Sequence, residues 1–243
     1  MIEVQGLCKR FRDKKSGLVH AVESLSCICQ PGRVYGLLGG NGAGKTTTLR
    51  MLATILSPTE GTARVAGYDI VRQPEKVRQS IGFLSTATSL YGRLSAQELV
   101  AYFGRLHGLS DDLLRRNIDS LFARLEMGAF RDRRCDDLST GMKQKVSLAR
   151  MLVHDPPVMI FDEPTSGLDV VTSRTILDFI RECRESGKTV LFSTHVMSEA
   201  EKVCDTIGIL HAGRLLAEGS LAELRSRYRQ QNLEDIFVQV VES

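Results

Sequence analysis

With 243 residues, 42% of them hydrophobic and 25% charged, the chain can fill one large or two small cored domains and is composed like an ordinary globular protein. Its formal net charge of +3 argues against a dedicated nucleic-acid binder, whose basic residues cluster; the richest run, Arg131, Arg133 and Arg134, is broken by Asp132 and followed by Asp136 and Asp137, as in a solvated loop. No apolar stretch reaches the ~18 residues of a membrane helix, and residues 1–11 lack the apolar centre of a secretory signal, so a cytoplasmic chain is expected.

The cysteines agree with a reducing compartment. Cys8, Cys27, Cys29, Cys135, Cys183 and Cys204 contain no C-x-x-C pair, and buried, reduced thiols are expected. Cys27 and Cys29 stand two apart in a strand-like run and share a face. The five histidines show no metal-ligand spacing.

In chain order, residues 2–8 and 25–29 read as strands with a polar turn over 13–17. Residues 34–38 form a short apolar strand, followed at once by a glycine-rich turn and a helical stretch over 46–56. Strand, glycine turn and helix open an α/β nucleotide-binding fold. From residue 95 the pattern becomes helical. Ser95 and Glu98 make a capping box, with Leu99, Tyr102, Phe103 and Leu106 at helical spacing behind it. A second helix starts at Ser110, and a third runs from about 140 to 153. Buried parallel-type strands return at 158–161 and 190–192, with a helix over 171–186 between them. Residues 207–210 and 214–217 read as a hairpin, 222–229 as a last helix, and the final dozen residues as a partly apolar tail. One domain is expected. Residues 1–84 and 156–220 form its α/β core, about 85–155 a helical insertion, and 221–243 a C-terminal helix and tail.

Three segments carry chemistry. Gly39, Gly40, Asn41, Gly42, Ala43, Gly44, Lys45 and Thr46 give a full G-x-x-x-x-G-K-[ST] match, with Thr47 next. The glycines let consecutive N–H groups turn inward around a phosphate, which a Cβ would obstruct. The helix that starts there points its positive end at the same group. Lys45 places a charge on the β and γ oxygens, and the Thr46 hydroxyl is a Mg²⁺ ligand. ATP and Mg²⁺ are therefore the expected ligands. In the second segment, four apolar residues end in Asp162 and Glu163. An apolar parallel strand delivers its end to the rim where ligands bind. Asp162 would hold Mg²⁺ through its water shell, and Glu163 would polarise the attacking water. In the third, His195 closes the strand that follows, where it can reach the γ-phosphate.

One further stretch decides which phosphate-binding ATPase this is. Residues 138–149 read LSTGMKQKVSLA, and this resembles the signature motif of ABC-type ATPases, commonly LSGGQ. Ser166, Gly167, Leu168 and Asp169 resemble the family's D-loop, and His195 its switch histidine. The resemblance covers the whole chain. It implies an ABC cassette, with a mainly parallel core sheet, an N-terminal antiparallel β subdomain and a helical insertion. It also implies that two cassettes, expected to be a homodimer, pack head to tail. Each ATP then lies between one cradle and the partner's Ser139, Thr140, Gly141 and Met142, with the Ser139 hydroxyl and the Gly141 N–H on the γ-phosphate. Phe11 matches the aromatic that stacks on adenine. The stretches at 154–170, 193–205 and 233–241 are most similar to ATPase subunits of ABC-2-type exporters. Within these the likeness is to the NatA type associated with sodium extrusion, which work with an integral membrane permease at the inner face of the membrane. Leu90 and Tyr91 are candidate permease contacts.

The sequence also departs from the family pattern. The usual Q-loop glutamine aligns with Thr86, whose shorter side chain implies slower or differently gated hydrolysis. Thr140 and Met142 replace the usual Gly and Gln, and Gly40 replaces the usual Pro or Glu. A low-turnover regulatory ATPase, motivated by Thr86, is one alternative. The other is a soluble ABC ATPase acting on nucleic acid or ribosomes, and the lack of a coiled coil or second cassette weighs against it.

Overall fold

The computed structural model describes residues 1–13, 17–85 and 90–242; Thr86 lies outside them. Two sheets organise the chain. In the first, β1 (Ile2–Asp13) is flanked by β2 (Gly17–Cys29) and β4 (Glu60–Val65), with β5 (Tyr68–Asp69) at the edge; all these pairings are antiparallel. β1 and β2 are longer than the expected strands at 2–8 and 25–29. Register shifts after Val4, Leu7 and Lys9 break the two-residue alternation that would have marked their full length. Cys27 and Cys29 do share the inward face, and all six cysteines are free.

The second sheet holds β3 (Val34–Leu38), β6 (Ile81–Ser85), β7 (Val158–Asp162), β8 (Thr189–Thr194), β9 (Thr206–His211) and β10 (Arg214–Gly219), in the order β10-β9-β3-β8-β7-β6. All its pairings are parallel except that of β10 with β9. β3, β7 and β8 are buried at every residue, which is why they read as unbroken apolar runs rather than alternating ones. The chain enters β3, crosses to helix and loop, and returns on either side of it. The carboxyl ends of β3, β7 and β8 therefore open onto one crevice, the usual ligand position in such sheets.

Helix α1 (Lys45–Leu52) follows β3. It stops four residues short of the expected 56, at Ala53, because Thr54 takes a left-handed φ of 59°. α2 (Pro74–Ser80) leads into β6. Between β6 and β7 stand α3 (Ala96–Leu106), α4 (Asp111–Arg124) and α5 (Thr140–Leu152). The Ser95–Glu98 capping box is formed in both directions and satisfies two otherwise orphaned N–H groups. Leu99, Val100, Leu114, Ile118, Phe122, Val146 and Ala149 bury the inner faces of these helices in one cluster with Phe161 and Phe192 of the sheet. The helical segment is thus packed onto the sheet.

α6 (Val170–Glu185), α7 (Met197–Val203) and α8 (Leu221–Tyr228) complete the cover, and the chain ends in α9 (Leu233–Glu242). The last helix corrects the expected tail. Leu233, Ile236 and Val240, at helical spacing, are buried against Ile207, Ile209 and Ala217 of the β9–β10 hairpin. Burial of such side chains stabilises by about 1.5–3 kcal/mol each, enough to override the weak helix propensity of a Val- and Ile-rich segment. Among the described residues, no helix is long and apolar enough to cross a membrane.

Candidate functional site

β3 ends at Leu38, and the next residues wrap the mouth of the crevice. Gly44 has a φ of 106°, and a Cβ there would lie 2.4 Å from the Ala21 carbonyl oxygen; only glycine fits without moving backbone. Gly44 is also the N-cap of α1, with no side-chain cap. Among the described residues no side chain claims the first N–H groups of the helix, the arrangement that attracts anions. Behind the loop, the Ala43 carbonyl accepts from the Gly213 N–H at 2.9 Å, and the Gly213 carbonyl accepts from the Glu23 N–H at 2.8 Å.

A cavity of ≈290 Å³ lies in this mouth, lined by Asn41, Gly42, Ala43, Gly44, Lys45, Thr46 and Thr47 together with Ala21, Asp162 and Glu163. Lys45 is 4% exposed. Its Nζ donates to the carbonyls of Gly39 at 2.7 Å and Gly40 at 3.0 Å and pairs with Glu163 Oε1 at 2.9 Å. Thr46 Oγ1 donates to Asp162 Oδ1 at 3.0 Å. Gly39 and Gly40 therefore hold the lysine from behind rather than line the cavity.

Glu163 follows β7 with a φ of 46°, a left-handed conformation uncommon for a side-chain-bearing residue. The turn is held by its N–H, which donates to Ser193 Oγ at 3.1 Å and to the Ser193 carbonyl at 3.2 Å. Its second oxygen, Oε2, lies 3.1 Å from His195 Nδ1. An ionised carboxylate only accepts, so Nδ1 carries the proton. Burial pushes the Glu163 carboxyl up, but Lys45 and His195 together outweigh it and hold it below the usual range.

Not every expected residue joins this cluster. Phe11 sits near the end of β1, 38% exposed, beneath the Lys9 ammonium at 5.1 Å from its ring centre, and does not line the cavity. Ser139, Thr140, Gly141 and Met142 lie at the start of α5, and none of them lines the cavity either. Ser139 is exposed and caps α5 by accepting from the Met142 N–H at 3.4 Å. Ser166 and Gly167 are exposed. Leu168 packs on the main core, and Asp169 caps α6 through the N–H groups of Val171 and Thr172. Hydrogen bonds from Thr172 hold the Asp169 carboxyl below its usual range.

Sequence reading missed several residues, among them Ala21 in the cavity wall, Ser193 and Gln144. Ser193 Oγ donates to Asp162 Oδ1 at 3.0 Å, and Gln144 of α5 donates to the Pro164 carbonyl at 3.2 Å. Ser193 stands just before the Thr-His pair, but its role depends on the β7–β8 register that sets it opposite Asp162.

Comparison with known proteins places this geometry. The profile of the family described as ABC transporter matches residues 22–166. The chain is 43% identical over 239 residues to the ABC transporter ATP-binding protein NatA of Bacillus subtilis (strain 168), covering 98% of this chain and 97% of the relative. It is 38% identical over 225 residues to the daunorubicin/doxorubicin resistance ATP-binding protein DrrA of Streptomyces peucetius, covering 93% and 67%. A solved ATP-binding subunit of an ABC transporter superposes with a TM-score of 0.88 at 28% identity, covering 99% of both chains. A dimeric, post-hydrolysis ATP-binding cassette bound to ADP and Pi superposes with a TM-score of 0.81 at 25% identity, covering 90% of this chain and 98% of that one. Profile, a relative matched over nearly its full length, and fold agree: the chain belongs to the ABC transporter family, as an ATP-binding subunit that hydrolyses ATP.

Proposed function

We propose that the chain is the ATPase subunit of an ABC-2-type exporter, in which two copies close head to tail around two MgATP and pass that motion to a separate membrane permease. The observation that carries the reading is the convergence of Lys45, Thr46, Asp162, Glu163 and His195 at one end of the parallel sheet, with every link between them at 2.9–3.1 Å. The Thr46 hydroxyl and the Asp162 carboxylate are hard oxygen donors side by side, a set that suits Mg²⁺; these two residues would hold the ion. Bound there, it would neutralise charge on the β and γ oxygens.

Lys45 is a shared partner of Glu163 and of the expected triphosphate. The triphosphate competes for that ammonium and releases the carboxylate to take a proton from the attacking water. His195 then orients Glu163 and faces the γ-phosphate. Ser139 and the Gly141 N–H of the second copy complete the site, so the γ-phosphate joins the copies and its loss lets them part. The resemblance to a solved cassette that is dimeric supports this pairing.

The near-full-length similarity to a NatA protein supports a NatA-type exporter, and we assign sodium as the cargo. The subunit works from the inner face of the membrane. Tyr91, 56% exposed and stacked on Phe103, is the side chain that meets the permease. In vesicles holding subunit and permease, Glu163→Gln should slow turnover by ~10²–10⁴-fold, the usual worth of a general base, keep ATP binding and trap a dimer. Normal turnover in that variant removes the base assignment. Wild-type rates indifferent to sodium remove the cargo alone.

A further inference from the structure

The carboxylate of Glu199, on α7, is 9% exposed and forms no ion pair among the described residues. Removing a carboxylate from water is costly unless hydrogen bonds replace the lost hydration. Here two buried hydroxyls do so at a single oxygen. Thr165 Oγ1 donates to Glu199 Oε2 at 3.0 Å, and Thr194 Oγ1 donates to the same atom at 2.8 Å. Thr165 and Thr194 are 7% and 2% exposed.

The two hydroxyls come from the segments that carry the reacting pair, the loop after β7 and the last residue of β8. Thr165 lies two residues after Glu163, just beyond its left-handed turn. Thr194 lies directly before His195. Thr194 Oγ1 also accepts from the Val196 N–H at 3.0 Å, so the backbone is pinned on both sides of the histidine. β7 and β8 are neighbours in the sheet, but their ladder ends at Asp162 and Ser193. Beyond it, Thr194 is still paired with Leu38 of β3, and its carbonyl accepts from the Gly39 N–H at 3.3 Å; besides the Glu163 N–H on Ser193, the bridge through Glu199 adds a link from Thr194 across to Thr165. The contact it frames is the 3.1 Å one between His195 Nδ1 and Glu163 Oε2. Neither threonine nor Glu199 lines the nucleotide cavity.

We propose that Glu199 is a positioning residue for ATP hydrolysis: its carboxylate clamps the loop of Glu163 to the loop of His195 and holds the pair in register. The proposal rests on the reading of Glu163 and His195 as the reacting pair. Hydrogen-bonded networks of this kind are coupled, and an ångström of misplacement at a reacting pair costs up to ~10²-fold in rate. The acceptor oxygen is the element that matters, so an amide in the same place substitutes for it.

The experiment is a steady-state ATPase cycle on the full chain, with nucleotide affinity measured separately by titration. Glu199→Ala lowers kcat by ~10–10²-fold and leaves ATP affinity unchanged. Glu199→Gln, which keeps an acceptor oxygen, recovers most of that loss. In combination with His195→Ala, Glu199→Ala adds nothing, because it acts through the histidine. Thr165→Val, nearly isosteric, lowers kcat in the same direction by a smaller factor and serves if Glu199→Ala does not fold. A slow His195→Ala beside an unaffected Glu199→Ala or Thr165→Val overturns the proposal, as do losses that multiply in the double variant. A His195→Ala that turns over normally instead overturns the reading of the reacting pair, and the clamp with it.

Discussion

The two ends of the site are built differently. At the cradle, each group is held by others of the same chain: Lys45 has three partners, Asp162 accepts from Thr46 and Ser193, and Glu163 is held at both carboxylate oxygens. At the signature, the Ser139 hydroxyl has, among the described residues, one long bond to its own helix, and Ser139 and Thr140 face outward. Groups wired to one another are largely preorganised and need little further ordering, although the Lys45–Glu163 pair must open to admit a triphosphate. Groups facing outward at a helix start are an offer to something outside the chain. The contrast is the one expected if, as proposed above, the site is divided between two copies.

The comparison is sharpest at Lys45. Lys45→Ala should weaken ATP binding to the single chain by ~10²-fold or more, since charge-assisted hydrogen bonds are worth about 1.5–3 kcal/mol each; unchanged affinity in a titration would break the cradle half of the contrast. Ser139→Ala should act only when two chains meet. It should slow turnover by ~10-fold through the loss of one such bond and leave single-chain ATP affinity where it was. Melting of this variant should move by no more than a lost cap allows, about 0.5 kcal/mol, because the 3.4 Å bond to Met142 is long. A drop in single-chain affinity would mean that the signature contributes to its own site. The smallest effect is a slope. The folded Glu163 carboxyl lies below its usual range, so the stability it adds is full above the unfolded value near pH ~4.3. That stability fades as the pH falls through the folded value. Glu163→Gln should flatten the acid side of a melting-temperature profile, and Ser139→Ala should leave it as it is.

What could be read in the sequence follows the same division. The phosphate loop and the apolar strand ending in two acids are local demands: a glycine forced to φ 106° and a strand buried on both faces are written in consecutive residues. The hydrogen bonds that tie the site together are not local. Ser193 on Asp162, Gln144 on Pro164 and Glu199 on two threonines join positions that meet only when the strands pair and the helices pack. α9 was hidden for a different reason. Its three buried residues have helical spacing, but its β-branched composition speaks for strand, and the hairpin it covers lies earlier in the chain. The β1–β2 pair reads shorter in the sequence than it is because bulges erase alternation.

The hydrogen bonds on either side of Gly213 have a mechanical consequence. Through them the phosphate loop is stapled to the tip of the β9–β10 hairpin, and that tip to β2 of the outer sheet. Gly44, pressed against the Ala21 carbonyl, closes the same linkage from the other direction. A ligand gripped by those amides is therefore mechanically connected to two layers at once, the phosphate loop and the antiparallel sheet.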